Sequence, residues 1–145
     1  MDTHKTLQLV QLTYAAALAD ATAEFAKEGV LEKVVERKRA EQMATGKMRA
    51  AQFGVSTPEE VFTRLGETFD CARWTILHEN DGGFIAEARA CKLCAIAKKM
   101  NAPAPCALYC LNPMEGMVKG LRPQADFHVE ETLWNGEACR VRISS

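Results

Sequence analysis

The hydrophobic period changes once along this chain, and the change divides it into a helical half and a half that contains strands. Apolar residues over Leu7–Phe25 recur at steps of three and four, which predicts one amphipathic helix. A second helix is predicted from Val30 to about Ala51, and Gly29 either separates the two helices or is tolerated within one. The charged run Glu32–Glu41 is typical of a solvated helix face. Such long helices need a partner for their apolar sides, which an antiparallel helical hairpin or a dimer interface would supply.

A third helix is predicted to begin at Thr57. Thr57 suits the N-cap, Pro58 suits the first helical position, and Glu60 completes a capping box. The helix should end near Phe69–Asp70.

Beyond residue 73 the pattern favours strands and short helices. Trp74–Glu79 is rich in β-formers, Asn80–Gly83 is a turn sequence, and Phe84–Arg89 can return as a second strand. Two short helices are predicted next, from about Ala90 to Met100 and from about Pro105 to Lys119.

The last segment predicts a β-hairpin whose register follows from burial. Apolar residues alternate over 127–133 and again over 139–143, and a two-residue Asn135-Gly136 turn would put the two sets on opposite faces. A three-residue loop, Asn135–Glu137, with a bulge keeps them on one face. The residues expected to face outward are His128, Glu130, Thr132, Arg140 and Arg142. This register makes Glu131 the lone carboxylate on the apolar face, diagonal to Cys139, where it needs a cation, a metal, a proton or water.

These elements predict an α+β fold in which long N-terminal helices and shorter helices pack on a four-stranded antiparallel sheet. The 145 residues suffice for one domain, with a helical half over 1–70 and, over 71–145, a sheet with two cysteine-bearing helices.

Composition and charge exclude several functions. Lys and Arg number 18 against 19 Asp and Glu, and a net charge of −1 argues against a nucleic-acid partner. No apolar run is long enough for a membrane span, and the N-terminus lacks the pattern of a signal peptide. We therefore expect a cytoplasmic protein with a small-molecule ligand or substrate and no membrane or nucleic-acid partner. We also expect a homodimer formed through the N-terminal helices.

Six cysteines, all after residue 70, carry the chemical signal. Cys91 and Cys94 share one face of a predicted helix, and Cys106 and Cys110 share one face of the next. The short linker between these helices lets the four sulfurs converge, and the hairpin adds Cys139 and Glu131. Cys71 is expected to be structural or incidental.

The residues leave four interpretations of these thiols open: buried small hydrophobes, metal ligands, a catalytic thiol, or a disulfide. The metal ligands would be Cys91, Cys94, Cys106, Cys110 and Cys139, and the ion zinc or another divalent metal. An iron–sulfur cluster is less favoured, because the spacing matches no familiar run. Cys91 begins a predicted helix and Cys106 lies within the first turn of the next, where the dipole and free N–H groups are expected to stabilise a thiolate.

The stretch from Ala90 to Ile143 resembles the L-2-amino-thiazoline-4-carboxylic acid hydrolase family. The resemblance lies in Cys91–Ala97, in Cys106–Cys110 and in the ending Glu131–Val141. That family in turn resembles the 4-vinyl-reductase-type ligand-binding domains and the TRAPP subunits, which are α+β domains and often dimers. In phenol-sensing relatives, cysteines and a glutamate near this hairpin hold zinc, and Cys139 and Glu131 fall at similar places.

The resemblance implies ring-opening hydrolysis of a small sulfur–nitrogen heterocycle such as 2-amino-thiazoline-4-carboxylate, which gives an N-carbamoyl-cysteine. Either a metal-bound hydroxide or a thiolate would attack the carbon between sulfur and nitrogen. Cys106 and Cys110 are the preferred nucleophile or ligands, Glu131 the acid/base, and Arg140 or Arg142 a clamp for the carboxylate. The alternative is a non-catalytic domain of the 4-vinyl-reductase type that senses a small molecule or a metal.

Overall fold

The computed structural model of the chain describes residues 1–145 and contains five α-helices, one π-helical turn and four strands. The helices are α1 (Thr3–Lys27), α2 (Leu31–Gln52), α3 (Pro58–Phe69), α4 (Lys92–Lys99) and α5 (Asn112–Leu121), and the π-helical turn is Ala107–Leu111. The strands are β1 (Thr75–His78), β2 (Phe84–Ala88), β3 (Asp126–Glu131) and β4 (Cys139–Ser144). No helix combines the length and the apolar character that crossing a membrane requires.

The four strands form one antiparallel sheet in the order β1-β2-β4-β3. The two hairpins therefore meet through β2 and β4, which pair from Phe84 with Ile143 to Ala88 with Cys139. Helices packed on a four-stranded antiparallel sheet confirm the predicted α+β class.

The main core lies between the sheet, α3 and α5. Its largest fully buried side chains include Phe62 of α3, Met114 and Val118 of α5, and Phe84 and Ile143 of the sheet. The rings of Phe62 and Phe84 meet edge to face, with their centroids 5.9 Å apart. This aromatic contact fixes α3 against β2.

Helix α3 begins and ends where the sequence predicts. The Thr57 side chain accepts the backbone N–H of Glu60, and the Glu60 carboxylate accepts the N–H of Thr57 at 3.1 Å, so the capping box is complete. Asp70 ends the helix in the left-handed region, with φ of 53°.

The two long helices do not rely on each other for burial. Gly29, with φ of +71°, separates them, and α1 packs mainly on α4 while α2 packs mainly on α5. A helical hairpin between α1 and α2 is therefore not the main packing arrangement.

The close crossing of α2 and α5 explains this choice of partner. A Cβ added at Gly46 would overlap the carbonyl oxygen of Gly116, and one added at Gly116 would overlap that of Gln42. The backbones can touch only because these positions carry no side chain. Beside the crossing, Arg39 donates to both carboxylate oxygens of the buried Glu115, at 2.8 and 3.1 Å.

The C-terminal hairpin has the predicted facing and a longer loop. Phe127 pairs with Ile143 and Val129 with Val141, which puts both apolar sets on one face. The bulge is present and lies in β3 between Val129 and Glu131. The connection runs over residues 132–138 rather than 135–137, because the strands end at Glu131 and begin again at Cys139.

We expect Gly46→Ala to destabilise the fold by about 1–3 kcal/mol, because the added methyl group forces α2 and α5 apart. The free energy of unfolding is measured by urea titration. Ala44→Ser, at an exposed position of α2, is the control and should change it by less than about 0.5 kcal/mol. Helix propensity alone predicts a gain for Gly46→Ala, so a more stable variant would contradict the close crossing.

Candidate functional site

A cavity of about 310 Å³ lies between the helices and the C-terminal hairpin, and 22 of its 28 lining residues are hydrophobic. Its walls come from α1, α2, α3, α4, the π-helical turn, α5 and the start of β4. All six cysteines of the chain line it: Cys71, Cys91, Cys94, Cys106, Cys110 and Cys139. The structure thus brings together the five cysteines that the sequence singled out, and adds Cys71.

Local backbone contacts place the thiols. Cys91 is the N-cap of α4 and forms an isolated antiparallel bridge with Ala72. The backbone N–H of Lys92 donates to the carbonyl oxygen of Cys71 at 2.8 Å. This bridge holds Cys71 beside α4, a long-range contact that no local pattern around residue 71 announces.

Three of the thiols form a chain. The Sγ atoms of Cys94 and Cys106 lie 3.5 Å apart, across the gap between α4 and the following helix. The thiol of Cys91 neighbours that of Cys94 on its other side. The order Cys91–Cys94–Cys106 ends at the first residue of the second cysteine-bearing helix, where backbone N–H groups are free to stabilise negative charge.

The π-helical turn carries Cys110 and depends on a contact from α2. The N–H of Asn112 donates to the carbonyl of Ala107, five residues back. The next residue, Pro113, has no N–H for the carbonyl of Leu108. That carbonyl instead accepts the Gln42 side-chain amide at 2.9 Å.

Five of the six thiols are held in the neutral form. Burial raises the pKa of Cys71 and of Cys139 to about 11, and burial raises that of Cys110 well above its ordinary value. The contact with Cys106 raises the pKa of Cys94 to about 12. The contact with Cys94 likewise raises the pKa of Cys91 well above its ordinary value.

Glu131 lies outside this cavity. The bulge pairs it with Arg140 instead of keeping it among the apolar positions, which corrects the expectation that it shares their face. Its Oε2 accepts the backbone N–H groups of Glu137 at 2.7 Å and Ala138 at 2.9 Å. In this structure Glu131 holds the hairpin loop, and its part in acid–base chemistry stays a prediction.

The two arginines named as carboxylate clamps face away from the cavity. Arg140 is paired with Glu87, and Arg142 with Glu79 and Glu130. Their side chains are therefore engaged on the outer face of the sheet, as the predicted facing of the hairpin requires.

The donor atoms do not group around one point. No set of three or more His, Cys, Asp or Glu side chains is arranged to hold a metal ion. The thiols instead follow the cavity wall, with one close Sγ–Sγ contact. The zinc site therefore remains a prediction.

Sequence reasoning missed the polar side of the cavity. Four polar residues of α2 line it at helical spacing, and we call them the polar wall: Lys38, Gln42, Thr45 and Arg49. The charged run of α2 is mostly exposed, as predicted, but this face of the helix borders the cavity. The spacing of four, three and four was the available signal, hidden among other charged residues.

The fold and the cavity define this chain as an α+β domain with a thiol-lined cavity between its helices and an antiparallel sheet. The family model described as L-2-amino-thiazoline-4-carboxylic acid hydrolase matches residues 5–143, and the chain belongs to that family. No curated protein matches the chain, and no solved structure does. The family membership supports a hydrolase-like function.

We expect Cys106 to be alkylated first when the native protein is treated with iodoacetamide at pH 8. A thiol whose pKa is about 11 is only about 0.1% thiolate at that pH, and thiolate is the reactive form. The alkylation rates of Cys71 and Cys139 should rise about tenfold per pH unit up to about 11. Peptide mass spectrometry over a time course measures the order. All six should react alike in urea, and faster labelling of Cys91 or Cys94 in the native protein would contradict the thiol chain.

Proposed function

We propose that the protein catalyses ring-opening hydrolysis of a small sulfur–nitrogen heterocycle such as L-2-amino-thiazoline-4-carboxylate within the thiol-lined cavity. The convergence of all six cysteines on one small cavity carries this proposal. Its volume lies at the lower end of the range for small-molecule pockets, which suits a single five-membered ring. Family membership supports the reaction class.

Cys106 is the proposed nucleophile. It is at the end of the thiol chain, and hydrogen bonding by Cys94 at 3.5 Å stabilises negative charge on its sulfur. Cys106 also begins a helix, and the free N–H groups of the first turn favour a thiolate. Cys110, four residues on, stays a neutral thiol and bounds the ring on the same stretch of helix.

The reaction proceeds in two balanced steps. In the first, the Cys106 thiolate bonds to the amidine carbon, the bond from that carbon to the ring sulfur breaks, and the ring sulfur leaves as a thiol with the proton that Cys106 released on ionisation. In the second, water bonds to the same carbon and the bond to Cys106 breaks, which restores the Cys106 thiol and yields the carbamoyl product. One water is consumed and nothing is oxidised or reduced.

A non-catalytic binding module is the alternative, and the apolar character of the cavity favours it as a second candidate. Of the 28 lining residues, 22 are hydrophobic, which suits retention of a small ligand. Turnover separates the two functions, because a sensor would bind the heterocycle and leave the ring intact.

We expect Cys106→Ala to lower the rate of ring opening at least about a thousandfold, because the attacking atom is lost. Loss of aminothiazoline carboxylate is followed by chromatography, with and without a metal chelator. Cys71→Ala is the control, because Cys71 lines the cavity but is not one of the contacting thiols Cys91, Cys94 and Cys106. It should keep the rate within about tenfold. Intact-mass analysis of the wild-type protein should show the transient adduct, and its mapping to Cys106 is the direct check.

Several outcomes would contradict the proposal. Absence of turnover by the wild-type protein, with or without added divalent metal, would remove this substrate. Full activity in a Cys106→Ala, Cys110→Ala double variant would remove the thiol mechanism. Activity lost to the chelator and restored by zinc would favour the metal-bound hydroxide instead.

We further propose that the protein forms a homodimer through the N-terminal half of α1. Residues 1–10 are all exposed, and Leu7, Leu9, Val10 and Leu12 are each at least half exposed although apolar. A second copy presents the same surface, so a two-fold pairing would cover both at once.

We expect a dimer in sedimentation equilibrium and a monomer for Leu7→Glu/Val10→Glu. The substitutions lie at exposed positions, so the free energy of unfolding of the monomer should change by less than about 0.5 kcal/mol per site. Glu36→Gln, at an exposed position of α2, is a control that should leave the mass unchanged. A monomeric wild-type protein at tens of micromolar would contradict the pairing.

A further inference from the structure

The polar wall is the feature of the cavity that thiol chemistry does not use. Its residues follow one another at steps of four, three and four along α2, so they share one helix face. The opposite walls are formed mainly by hydrophobic side chains and thiols. A ligand in this cavity therefore has one side on which polar groups can be satisfied.

Gln42 supplies a fixed hydrogen-bond acceptor on that wall. The carbonyl oxygen of Leu108 can only accept, so the amide nitrogen of Gln42, 2.9 Å away, must face it. The amide oxygen, Oε1, then points elsewhere; it has no hydrogen-bond partner in the chain and is covered by protein atoms, so a ligand donor reaches it once the side chains around it shift. A buried acceptor of this kind is stabilised by an N–H donor brought by a ligand.

Arg49 supplies an unengaged cation on the same wall. Lys38 is paired with Glu41 at 3.3 Å, and no carboxylate lies within ion-pairing distance of Arg49. Arg49 is exposed yet lines the cavity, so it lies at the opening rather than in the interior. A guanidinium in this position matches a carboxylate in geometry and charge.

We propose that Gln42 and Arg49 form a subsite that selects cyclic amidines bearing a carboxylate, and this rests on the proposed function. Gln42 Oε1 accepts an N–H of the amidine, and Arg49 binds the carboxylate at the opening. Because Gln42 holds the carbonyl of Leu108, between Cys106 and Cys110, the subsite places the amidine carbon beside the proposed nucleophile. Both are positioning residues.

The carboxylate contact is tested by calorimetry in the full chain carrying Cys106→Ala, which prevents turnover. The probes are L-2-amino-thiazoline-4-carboxylate and 2-amino-thiazoline, which lacks the carboxylate. Arg49→Met should weaken binding of the first at least about tenfold and leave that of the second within about twofold. Arg37→Met removes the same charge from an exposed position of α2 outside the cavity and should change neither.

The acceptor is tested by comparing Gln42→Met with Gln42→Glu. Both variants lose the amide donor to Leu108, but only the methionine lacks an oxygen acceptor. Gln42→Met should weaken binding of both probes at least about tenfold, whereas Gln42→Glu should keep it within about threefold. Equal weakening in the two variants would show that the Leu108 contact alone matters and would overturn the acceptor role. Thermal unfolding of each variant identifies one that fails to fold, and Thr45→Val then tests the same wall in its place, with weaker binding expected.

The outcomes separate the subsite from the reaction. Arg49-dependent binding by a wild-type protein that does not open the ring would support the subsite and remove the hydrolysis. Ring opening whose KM is unchanged by Arg49→Met would support the hydrolysis and overturn the subsite. Absence of binding of the carboxylate probe to the wild-type protein would overturn the subsite.

Discussion

The contact between the backbones of α2 and α5 is the constraint on which the site depends. Gly46 and Gly116 let the two helices meet without side chains between them, and this brings Gln42 within reach of the carbonyl of Leu108. The π-helical turn then has its free carbonyl satisfied, and Cys110 is held in the cavity wall. A wider crossing would leave both polar groups buried and unpaired, which is costly.

Local patterns allowed most of the fold to be predicted. The capping box at Thr57 and the apolar alternation over β3 and β4 each involve neighbouring residues, so the sequence alone specifies them. The pairing of long helices was not predictable in the same way. Glycines at positions 46 and 116 indicate close packing only when the two helices are known to cross. The two residues are 70 positions apart in the sequence, so no local pattern shows that they meet.

In the candidate site, too, the features set by local spacing were predictable and those set by long-range contacts were not. Helical spacing predicted that Cys91 with Cys94, and Cys106 with Cys110, would share faces, and all four line the cavity. Glu131 was misplaced because the position of a bulge decides which face a strand residue takes, and the sequence predicted a bulge without its position. The sequence did not single out Gln42, because its side-chain amide donates to the carbonyl of Leu108. That carbonyl lacks a backbone donor only because residue 113 is a proline.

The distribution of charge around the cavity follows from these placements. Arg140 and Arg142 are engaged in ion pairs and Glu131 holds the hairpin loop, so the hairpin offers the cavity one thiol, Cys139, and apolar surface but no free charge. The polar contribution comes from the other side, where α2 borders the cavity. An apolar pocket with a single polar side orients a small ring, because only one edge of the ring can keep its hydrogen bonds. In the proposed function the thiol at 106 and the amide at 42 act from two different helices, and the hydrogen bond from Gln42 to the carbonyl of Leu108 ties their positions together.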